Sequence, residues 1–345
     1  PIVCETGGCI SDSIPNGIDC TFEFSPAGTE CDDGMGNTIN DVCDSFGNCY
    51  GMPFDESCTC TQDTGKSMDA LLCAMEIGCH PEYVNSSSIS SPTGDNINNS
   101  YIAVERFGNA SNDLAPHGGN SYTLLATGNA TGTSHSKSLW GGSPGWDQFS
   151  PGGGSVYDAV ELSVTLTAPP DAQGFSLEYV FFSVEFDDYV GTSYNDKFYM
   201  ILNGPESTGG VDKVINYTDC RNPSDYYDLS GDDCVLESGY CCYLAINTAL
   251  SECCWYGGCP NGTWTTDISG TGFSCASAQW SDGTSKGSST GWLTTTWAVE
   301  PGETFTLTFH IHDTADGIFD SEVLLDNFKW EFDEVTPGTG ISTLF

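Results

Sequence analysis

The sequence predicts an all-β fold: an antiparallel β-sandwich of jelly-roll type, preceded by a small disulfide-rich N-terminal module and carrying one short helix. The first observation is a period of two, in which apolar and polar residues alternate over residues 160–167 and again over 305–312. This period is typical of strands with one buried and one solvated face. The second observation is that turn sequences rich in Pro, Gly, Asn and Asp separate such runs, as an all-β architecture requires.

The N-terminal module is predicted over residues 1–65. It holds few apolar side chains and many turn formers, so disulfides must replace a core that is too small to fold alone. The segment 28–51 contains Cys31-Asp-Asp-Gly and Asn40-Asp-Val-Cys, and in this it resembles a short repeat of secreted multidomain proteins. The segment offers a calcium loop, with Asp and Asn that cap their own turns as the alternative. The side chains concerned are Asp32, Asp33, Asn37, Asn40 and Asp41.

The sandwich domain is predicted over residues 66–335, and it begins with a helix from Ser67 to Cys79. Ser67 can cap this helix, and Asp69 lies in its first turn, where a negative charge is favourable. The apolar face of the helix consists of Met68, Leu71, Leu72, Met75 and Ile77. A cysteine-bearing insertion at about residues 205–300 is predicted to interrupt the strands of the sandwich.

Residues 336–345 are predicted to form a C-terminal tail. Its Ile341, Leu344 and Phe345 are poorly suited to water. The tail is therefore a candidate donor strand that completes the sheet of a neighbouring copy, which gives a head-to-tail homopolymer. The alternative is that the tail folds back onto its own sandwich.

The 18 cysteines fall into two clusters, with none in the 140 residues between them. The first cluster is Cys4, Cys9, Cys20, Cys31, Cys43, Cys49, Cys58, Cys60, Cys73 and Cys79, and the second is Cys220, Cys234, Cys241, Cys242, Cys253, Cys254, Cys259 and Cys275. Both counts are even, so all cysteines are predicted to be oxidised and paired within their own cluster. The adjacent cysteines of the second cluster are predicted to pair outward, because a vicinal disulfide ring is strained.

Composition predicts a secreted protein. The formal net charge of -40, from 48 acidic and 8 basic residues, excludes nucleic acid and anionic membrane surfaces as partners. A halophilic surface would explain the acids but not the cysteines, which indicate an oxidising compartment. A chain that opens at Pro1 is expected after removal of a signal peptide, and no apolar run is long enough to span a bilayer. Candidate N-glycosylation sites are Asn85, Asn98, Asn109, Asn129, Asn216 and Asn261.

Two acidic segments predict a calcium site. Residues 311–328 hold five acids and neither lysine nor arginine, and residues 183–196 add further oxygen ligands. Carboxylates gathered from both segments repel one another unless a divalent ion neutralises them. Hard oxygens at short, irregular spacing suit Ca2+, which takes about 6 to 8 of them, better than they suit zinc. The predicted ligands are Glu185, Asp187, Asn195, Asp196, Asp313, Asp316, Asp320 and Asp326. The alternative is that these acids cap turns and face solvent.

Several segments occur in the order found in one family of secreted microbial surface proteins. They are residues 68–72, 118–128, 157–162, 179–198 and 313–327. In these segments the chain resembles the choice-of-anchor L type of β-sandwich domain over residues 66–335, apart from the cysteine-rich insertion. The Ser-x-Glu and Asn-Asp of the family pattern correspond here to Ser183, Glu185, Asn195 and Asp196. The resemblance implies an extracellular sandwich attached to surfaces or assemblies, and it does not by itself imply an enzyme.

Sequence patterns typical of catalysis are weak. The string 141–145 matches Gly-x-Ser-x-Gly, but Pro144 follows the serine and has no N–H to donate to an oxyanion. His310 and His312 point to the same polar face of one strand, where they can bind zinc with a third ligand; cross-strand packing or simple exposure is the alternative. Acid pairs such as Asp187-Asp188 suit a glycoside hydrolase only if one carboxyl is buried with a raised pKa.

We therefore expect a secreted, N-glycosylated structural protein that is stabilised by Ca2+ and serves as a subunit of an extracellular filament or surface appendage. Its main partner is expected to be copies of itself. A carbohydrate-binding adhesin that contacts glycans is the first alternative, because tryptophan and tyrosine concentrate in loop-like stretches where their rings can stack on sugars. The same rings can instead form the cores of disulfide-rich lobes. A secreted glycoside hydrolase comes third.

Overall fold

The all-β class is confirmed by a computed structural model, in which every pairing between described strands is antiparallel. The structure describes residues 8–16, 19–35, 38–54, 58, 60, 63–108, 112–130, 145–149, 155–185, 193–219, 241–245, 252–253, 268, 270–273, 287–317 and 320–342. No helix in these ranges is both long and apolar enough to cross a membrane.

The strands are β1 (Ile10–Asn16), β2 (Asp19–Phe24), β3 (Thr38–Cys43), β4 (Cys49–Pro53), β5 (Val84–Ser90), β6 (Tyr101–Val104), β7 (Tyr122–Ala126), β8 (Gly145–Trp146), β9 (Ser155–Thr167), β10 (Gly174–Ser183), β11 (Lys197–Asn203), β12 (Lys213–Val214), β13 (Tyr217–Asp219), β14 (Cys241–Tyr243), β15 (Glu252–Cys253), β16 (Ser288–Ser289), β17 (Leu293–Ala298), β18 (Thr304–Thr314), β19 (Ser321–Glu331) and β20 (Gly338–Ile341). The α-helix α1 spans Met68–Cys73, and short 3-10 helices span Ile77–Cys79, Pro81–Tyr83 and Asn112–Leu114.

Two sheets form the sandwich. Among the described residues, one sheet has six strands in the order β12-β11-β18-β9-β5, with β8 beside β9. The other has eight strands: β6, β7, β19 and β10 follow one another, and β16 and β17 both pair with the far edge of β10. β15 extends this sheet beyond β16, and β20 extends it beyond β17. The strands β11, β18 and β19 thus bring residues far apart in sequence to the same end of the sandwich.

The alternating segments of the sequence supply the core between the two sheets. The predicted inward residues Val160, Leu162, Val164, Leu166, Phe305, Leu307, Phe309 and Ile311 are all buried there. Phe175 of β10 stacks between Phe305 and Phe328, with ring centroids 5.5 and 5.6 Å apart. The outward side of β9 and β18 carries hydroxyl pairs, such as Ser163 with Thr308 at 2.8 Å. The prediction of one buried and one polar face is therefore confirmed for these strands, except at His312, which is also buried.

The eight-stranded sheet differs, because β10 is buried on both faces. A second apolar cluster covers its outer side, where Phe182 packs against Phe107 and Phe273 with centroids 5.4 and 5.2 Å apart. Trp292 and Leu114 complete this layer. A strand buried on both sides loses the period of two, so its outer layer is not readable from alternation.

The limits predicted for the cysteine-bearing insertion, about residues 205–300, are wrong. β12 pairs with β11, and both β16 and β17 pair with β10, so residues at each end of the predicted insertion belong to the sandwich sheets. Buried and half-buried residues alternate along β17, which pairs with β10 over six residue pairs. Cysteine content is therefore a poor guide to where the sandwich strands stop.

The N-terminal module consists of two hairpins, β1-β2 and β3-β4, linked by disulfides. The described bonds are Cys9–Cys43, Cys31–Cys49, Cys58–Cys79 and Cys60–Cys73. Each joins two cysteines of the first cluster, and Cys20 is also disulfide-bonded. The last two bonds fasten the module to the segment that contains α1. Cys4, Cys220, Cys234, Cys254, Cys259 and Cys275 lie outside the described residues, so pairing within the second cluster stays a prediction.

The helix is shorter than predicted. Ser67 caps it as expected, since its Oγ accepts a hydrogen bond from the Ala70 N–H at 3.1 Å. The α-helix ends at Cys73, and Glu76 has a left-handed φ of 61°. The Met75 carbonyl accepts from Phe328 N–H at 3.1 Å, and the Glu76 carboxylate accepts from Asn327 N–H at 2.7 Å. Tertiary contacts with β19 therefore draw the chain out of the helix.

The C-terminal tail is folded back onto its own sandwich as far as it is described. β20 pairs with β17, and the Thr339 and Thr295 hydroxyls are 2.8 Å apart. Ile341 remains 72% exposed, and Leu344 and Phe345 lie outside the described residues. Donation of this strand to a neighbour would require it to leave β17 first. The fold-back alternative is thus the one present, and a head-to-tail homopolymer stays a prediction.

Candidate metal centre

Five acidic side chains are buried together at one end of the sandwich, and we call this group the end cluster. It comprises Asp158, Glu185, Asp196, Asp313 and Asp320, each of which is at most 2% exposed. They come from β9, from the end of β10, from the residue before β11, from β18 and from the residue before β19. The two acidic segments of the sequence are therefore brought to one place by the antiparallel pairing of the central strands.

Asp158 enters the end cluster through a β-bulge. The register between β9 and β18 shifts between Ile311 and Asp313, and Asp158 itself has a left-handed φ of 50°. A bulge inserts an extra residue into one strand, bends that strand and re-aims its side chains. The bulge thus places the Asp158 carboxylate beside acids of other segments, although it belongs to a long regular strand.

Burial and mutual repulsion disfavour the ionised forms of these acids. Burial raises the pKa of Asp158 to about 7, with further contributions from the charges of Asp95, Asp320 and Asp196. Burial likewise raises the pKa of Asp196 to about 7. Burial, followed by the charge of Asp196, raises the pKa values of Glu185 and Asp313 well above their usual range. Acids in this state favour either protons or a cation as a neighbour.

Several carboxylate oxygens of the end cluster accept no hydrogen bond from the described residues. They are both oxygens of Asp158, both oxygens of Asp313 and the Oε2 atom of Glu185. The Thr127 hydroxyl is close enough to Asp313 to offset part of its pKa rise. By contrast, Asp196 is held by the Thr314 N–H at 3.0 Å and the Ser321 hydroxyl at 2.8 Å. Unpartnered buried oxygens are costly, so they are the ones expected to coordinate an ion.

The nearest buried ammonium group does not neutralise the end cluster. Lys197 Nζ lies 2.6 Å from Asp147 Oδ2, which also accepts from the Tyr199 hydroxyl at 2.9 Å. Burial opposes ionisation of Asp147, but the charges of Lys197 and His312 and the hydrogen bonds from Lys197 and Tyr199 together outweigh it and hold the pKa of this carboxyl below its usual value. The lysine charge is thus balanced by Asp147. The five acids of the end cluster need a different counter-charge.

His310 and His312 lie on a covered face and not on a polar surface, so that part of the prediction is wrong. His312 is fully buried beneath Tyr199, and burial lowers its pKa well below 6.5. His310 Nε2 and His312 Nδ1 are 2.8 Å apart, while His310 Nδ1 is 2.7 Å from Glu161. Ring nitrogens that bond each other are not directed at a common ion. The arrangement therefore favours cross-strand packing over zinc binding.

The remaining predicted ligands differ in their outcome. Asn195 is buried next to Asp196, and Asp316 is half-buried and close enough for its charge to raise the pKa of Glu185. Asp187 lies outside the described residues. Asp326 is wrongly assigned, because it lies six residues along β19 from Asp320, which corresponds to about 20 Å of extended strand. Asp320 and Asp326 are close in sequence, but the extended strand between them holds their side chains far apart.

Asp326 belongs to a second acidic pair with Glu76. Its Oδ2 atom accepts from the His117 N–H at 2.6 Å, and burial raises its pKa to about 7. Burial, and then the charge of Asp326, raises the pKa of Glu76 to about 9. Both acids use backbone N–H groups as partners, including that of Asn327. The two carboxyls share a hydrogen bond, so they are closer than the roughly 5 Å or more between the carboxyls of a glycoside hydrolase.

A cavity of about 320 Å³ lies between the N-terminal module and the sandwich, next to Glu76. Aromatic rings line it, with Tyr83 and Trp330 6.2 Å apart and Phe54 4.7 Å from His80. The polar side chains at this cavity are Glu76, Asn327, Lys329 and Glu331. Its rings come from three separate segments, around Phe54, Tyr83 and Trp330, which a sequence does not show to be adjacent.

The predicted glycosylation sites fall into different environments. Asn85 and Asn98 are exposed and Asn129 is half-buried, whereas Asn109 and Asn261 lie outside the described residues. Asn216 is fully buried, its Oδ1 accepting from the Met200 N–H at 2.7 Å and its Nδ2 donating to the Phe198 carbonyl at 3.0 Å. The structure therefore contradicts a glycan on Asn216, since its amide completes the hydrogen bonds of β11.

No family model and no curated protein matches the chain. Similar solved structures include the K2 cleaved adhesin domain of Lys-gingipain, which is 11% identical, with a TM-score of 0.28 over 72% of this chain and 89% of that one. TmCBM61, solved in complex with β-1,4-galactotriose, is 10% identical, with a TM-score of 0.26 over 71% and 86%. The K1 cleaved adhesin domain of Lys-gingipain from Porphyromonas gingivalis W83 is 13% identical, with a TM-score of 0.25 over 70% and 91%. The resemblance to choice-of-anchor L domains stays a prediction.

The sequence analysis missed Asp158 as a site residue, although it quoted the segment around it. The signal is in the alternation itself: Val156, Asp158 and Val160 occupy every second position, and the two valines are buried. An acid in phase with core residues is either a bulge or a buried ligand, because strand geometry sends all three side chains to one face.

Proposed function

We propose that the protein is a secreted β-sandwich whose end cluster binds Ca2+, and that this ion stabilises it as a subunit of an extracellular surface assembly. One observation carries the proposal: five buried acids lie near enough at one end of the sandwich for their charges to act on one another, and both oxygens of Asp158 and of Asp313 lack hydrogen-bond partners within the described chain. The disulfides of the N-terminal module support the extracellular compartment.

Calcium suits the end cluster better than other common ions. All five side chains offer carboxylate oxygens, and neither Cys nor His is among them, which disfavours zinc. Ca2+ accepts many oxygen ligands in flexible geometry, whereas Mg2+ keeps several of its own waters. The nearby Asn195 and Asp316 add an amide and a further carboxylate on the same side.

A Ca2+ titration by calorimetry tests the proposal. We expect binding by the wild-type chain and at least a tenfold weaker affinity in Asp313→Asn, since the variant keeps the shape of the side chain but loses a ligand charge. Asp12→Asn is the matched control, because Asp12 is exposed in β1. Equal affinity in Asp313→Asn and the wild type would refute the site. Electron microscopy of the native material then shows whether the chain forms assemblies.

Glycan binding is a second candidate function, favoured by the aromatic-lined cavity. Tyr83 and Trp330 offer ring faces, Asn327 and Glu331 offer hydrogen-bonding groups, and the cavity volume of about 320 Å³ is within the range of small-ligand sites. Neutral oligosaccharides are the fitting class, since sugars stack on aromatic rings and bond to side-chain amides and carboxylates.

An oligosaccharide array followed by calorimetry tests this second function. We expect Tyr83→Ala to abolish binding, whereas Trp146→Ala, which removes a 70% exposed tryptophan elsewhere on the surface, leaves it unchanged. No binding to any neutral oligosaccharide by the folded wild-type chain would remove this candidate. The calcium proposal would be unaffected, because the cavity and the end cluster share no residue.

A further inference from the structure

A second group of acids lies where the N-terminal module faces the sandwich. Asp32, Asp33 and Asp41 each place one carboxylate oxygen within 4.8 Å of the others. Asp171, in the turn between β9 and β10 of the sandwich, accepts a hydrogen bond from the backbone N–H of Asn40, the residue before Asp41. We call these four residues the junction cluster. They belong to parts of the chain that are more than 100 residues apart.

A buried, unpartnered oxygen shows that this group is more than a set of capped turns. Asp41 is 6% exposed, its Oδ2 accepts from the Asp33 N–H at 2.8 Å, and its Oδ1 has no hydrogen-bond partner. The Oδ2 atom of Asp171 is likewise buried without a partner, in a residue with a left-handed φ of 71°. Two acceptors from opposite sides of the junction are thus left open.

Backbone N–H groups hold the other carboxylates in place. Asp33 accepts from Met35 N–H at 2.9 Å through Oδ1 and from Gly51 N–H at 3.0 Å through Oδ2. Asp32 Oδ1 accepts from Gly34 N–H at 2.7 Å. A carboxylate has about four lone-pair positions, so these bonds orient the acids and still leave positions for an ion.

Gly51 is required for this arrangement. A Cβ atom at position 51 would lie 1.8 Å from Asp41 Oδ1 and 2.7 Å from Thr38 Cβ. Only glycine therefore allows Asp41 and Asp33 to approach the same stretch of β4. The groups that approach Gly51 closely are two carboxylates and the Thr38 side chain, and not apolar side chains, so apolar packing does not explain the approach.

The described part of the chain places no counter-charge at the junction. Within the described ranges, none of the four carboxylates forms an ion pair with lysine, arginine or histidine. Three carboxylates with oxygens within 4.8 Å of one another repel each other when all three are ionised. Oxygen-only ligands, a turn-rich loop and open acceptors are the features of a Ca2+ site.

We propose that the junction cluster binds a second Ca2+ ion, which bridges the N-terminal module to the sandwich through Asp171. The module itself is held together by its disulfides, so the ion acts on the relative position of the two parts. The two parts are otherwise joined by the disulfides to Cys73 and Cys79 and by the packing of Phe54 against Phe332, whose ring centroids are 4.8 Å apart. The proposed ion adds a further link through Asp171.

Calorimetry of the full chain with Ca2+ alone tests the proposal. We expect two ions per wild-type chain and one per chain in both Asp41→Asn and Asp171→Asn. Asp44→Asn is the matched control, since Asp44 caps a turn in the same module through the N–H groups of Phe46 and Asn48 and lies outside the junction cluster. Far-UV circular dichroism confirms that each variant is folded.

Hydrogen exchange gives a second readout that does not depend on counting bound ions. Ca2+ is expected to slow exchange of the amides in β3 and β4 at least tenfold in the wild type and in Asp313→Asn, which lacks the end-cluster site, but not in Asp171→Asn. Two ions bound by Asp171→Asn, or unchanged exchange in the wild type, overturns the junction site. A wild type that binds one ion, which only Asp313→Asn loses, also overturns the junction site and leaves the end-cluster site standing. A wild type that binds one ion, which only Asp171→Asn loses, overturns the end-cluster site and leaves the junction site standing.

Discussion

Removal of Ca2+ at pH 8 is expected to lower the midpoint of thermal unfolding by roughly 10 °C. An ion at about 1,000 times its Kd stabilises the folded state by about 4 kcal/mol. One kcal/mol shifts the midpoint of a domain of this size by roughly 2 to 4 °C. The end cluster is the reason for the size of the effect, because chelation leaves Asp158, Glu185 and Asp313 buried and repelling one another.

The variant Asp158→Asn separates repulsion from ligation. In metal-free protein at pH 8 it is expected to raise the midpoint above that of the wild type, because it removes one charge from a group of buried acids. With saturating Ca2+ it is expected to lie below the wild type, because a ligand charge is lost. The two melting curves therefore exchange order when the ion is added. Asp12→Asn, an exposed control, should behave as the wild type in both conditions.

Differential scanning calorimetry with EGTA, and again with excess Ca2+, measures both effects. An unchanged midpoint in EGTA, combined with no gain in metal-free Asp158→Asn, would mean that the end cluster is neutral at pH 8 without an ion. Protons would then be its counter-charge, and the calcium proposal would fail. Loss of stability in Asp158→Asn under both conditions would instead assign that residue a purely structural role.

Strands with one face on the core and the other face toward solvent were predictable from the sequence. In β9 and β18 the side chains at every second position are buried, so alternation from Val160 and from Phe305 identified both strands. β10 was harder, because its outer face is covered by Phe107 and Phe273 and all ten residues are buried. The helix was overextended for a related reason: contacts between Glu76 and β19 override the local helical pattern.

The end cluster was predictable in part. Acids without counter-ions between apolar strand residues identified Glu185, Asp196, Asp313 and Asp320, because a charge flanked by core positions is seldom solvated. Asp326 shares that signal but lies farther along β19, where Glu76 and His117 meet it. Asp158 alternates in phase with the buried Val156 and Val160, which marks it as an unusual acid, but the bulge that directs it to the end cluster is known only from the strand register. Neither register shifts nor the pairing of distant strands is visible in a single sequence.

The metal-free protein is expected to lose stability as pH rises from 5 to 8, which is opposite to the usual behaviour of paired carboxylates. The folded-state pKa values of Asp158, Asp196 and Asp326 are raised to about 7, above the usual value of 3.8. Between these values the folded state binds more protons than the unfolded state, so stability falls with rising pH. A rise of three pKa units corresponds to about 4 kcal/mol for a fully buried group such as Asp196.

Glu178 and His312 act in the other direction. Hydrogen bonds from His117, Ser342 and Asn327 outweigh burial and lower the pKa of Glu178 to about 2, so its stabilising contribution is lost only as pH falls below about 4.5. Burial lowers the pKa of His312, which costs stability as pH falls through 6.5. One histidine opposes several carboxyls whose pKa values are raised. The free energy of unfolding is therefore expected to fall, on balance, from pH 5 to pH 8.

Urea unfolding of dialysed, metal-free protein at pH 5, 6.5 and 8 measures this slope. Saturating Ca2+ is expected to flatten it, because the ion replaces protons in the end cluster and needs its ligands ionised. Glu76→Gln removes the contribution of the pair with Asp326, whose carboxyls do not belong to the end cluster. If the free energy of unfolding of this variant still falls with pH, and Ca2+ abolishes that fall, then the pH dependence arises from Asp158, Asp196 and their neighbours. A free energy of unfolding that rises from pH 5 to pH 8 without metal would show that these acids are hydrated and not buried, and the end cluster could not then require an ion.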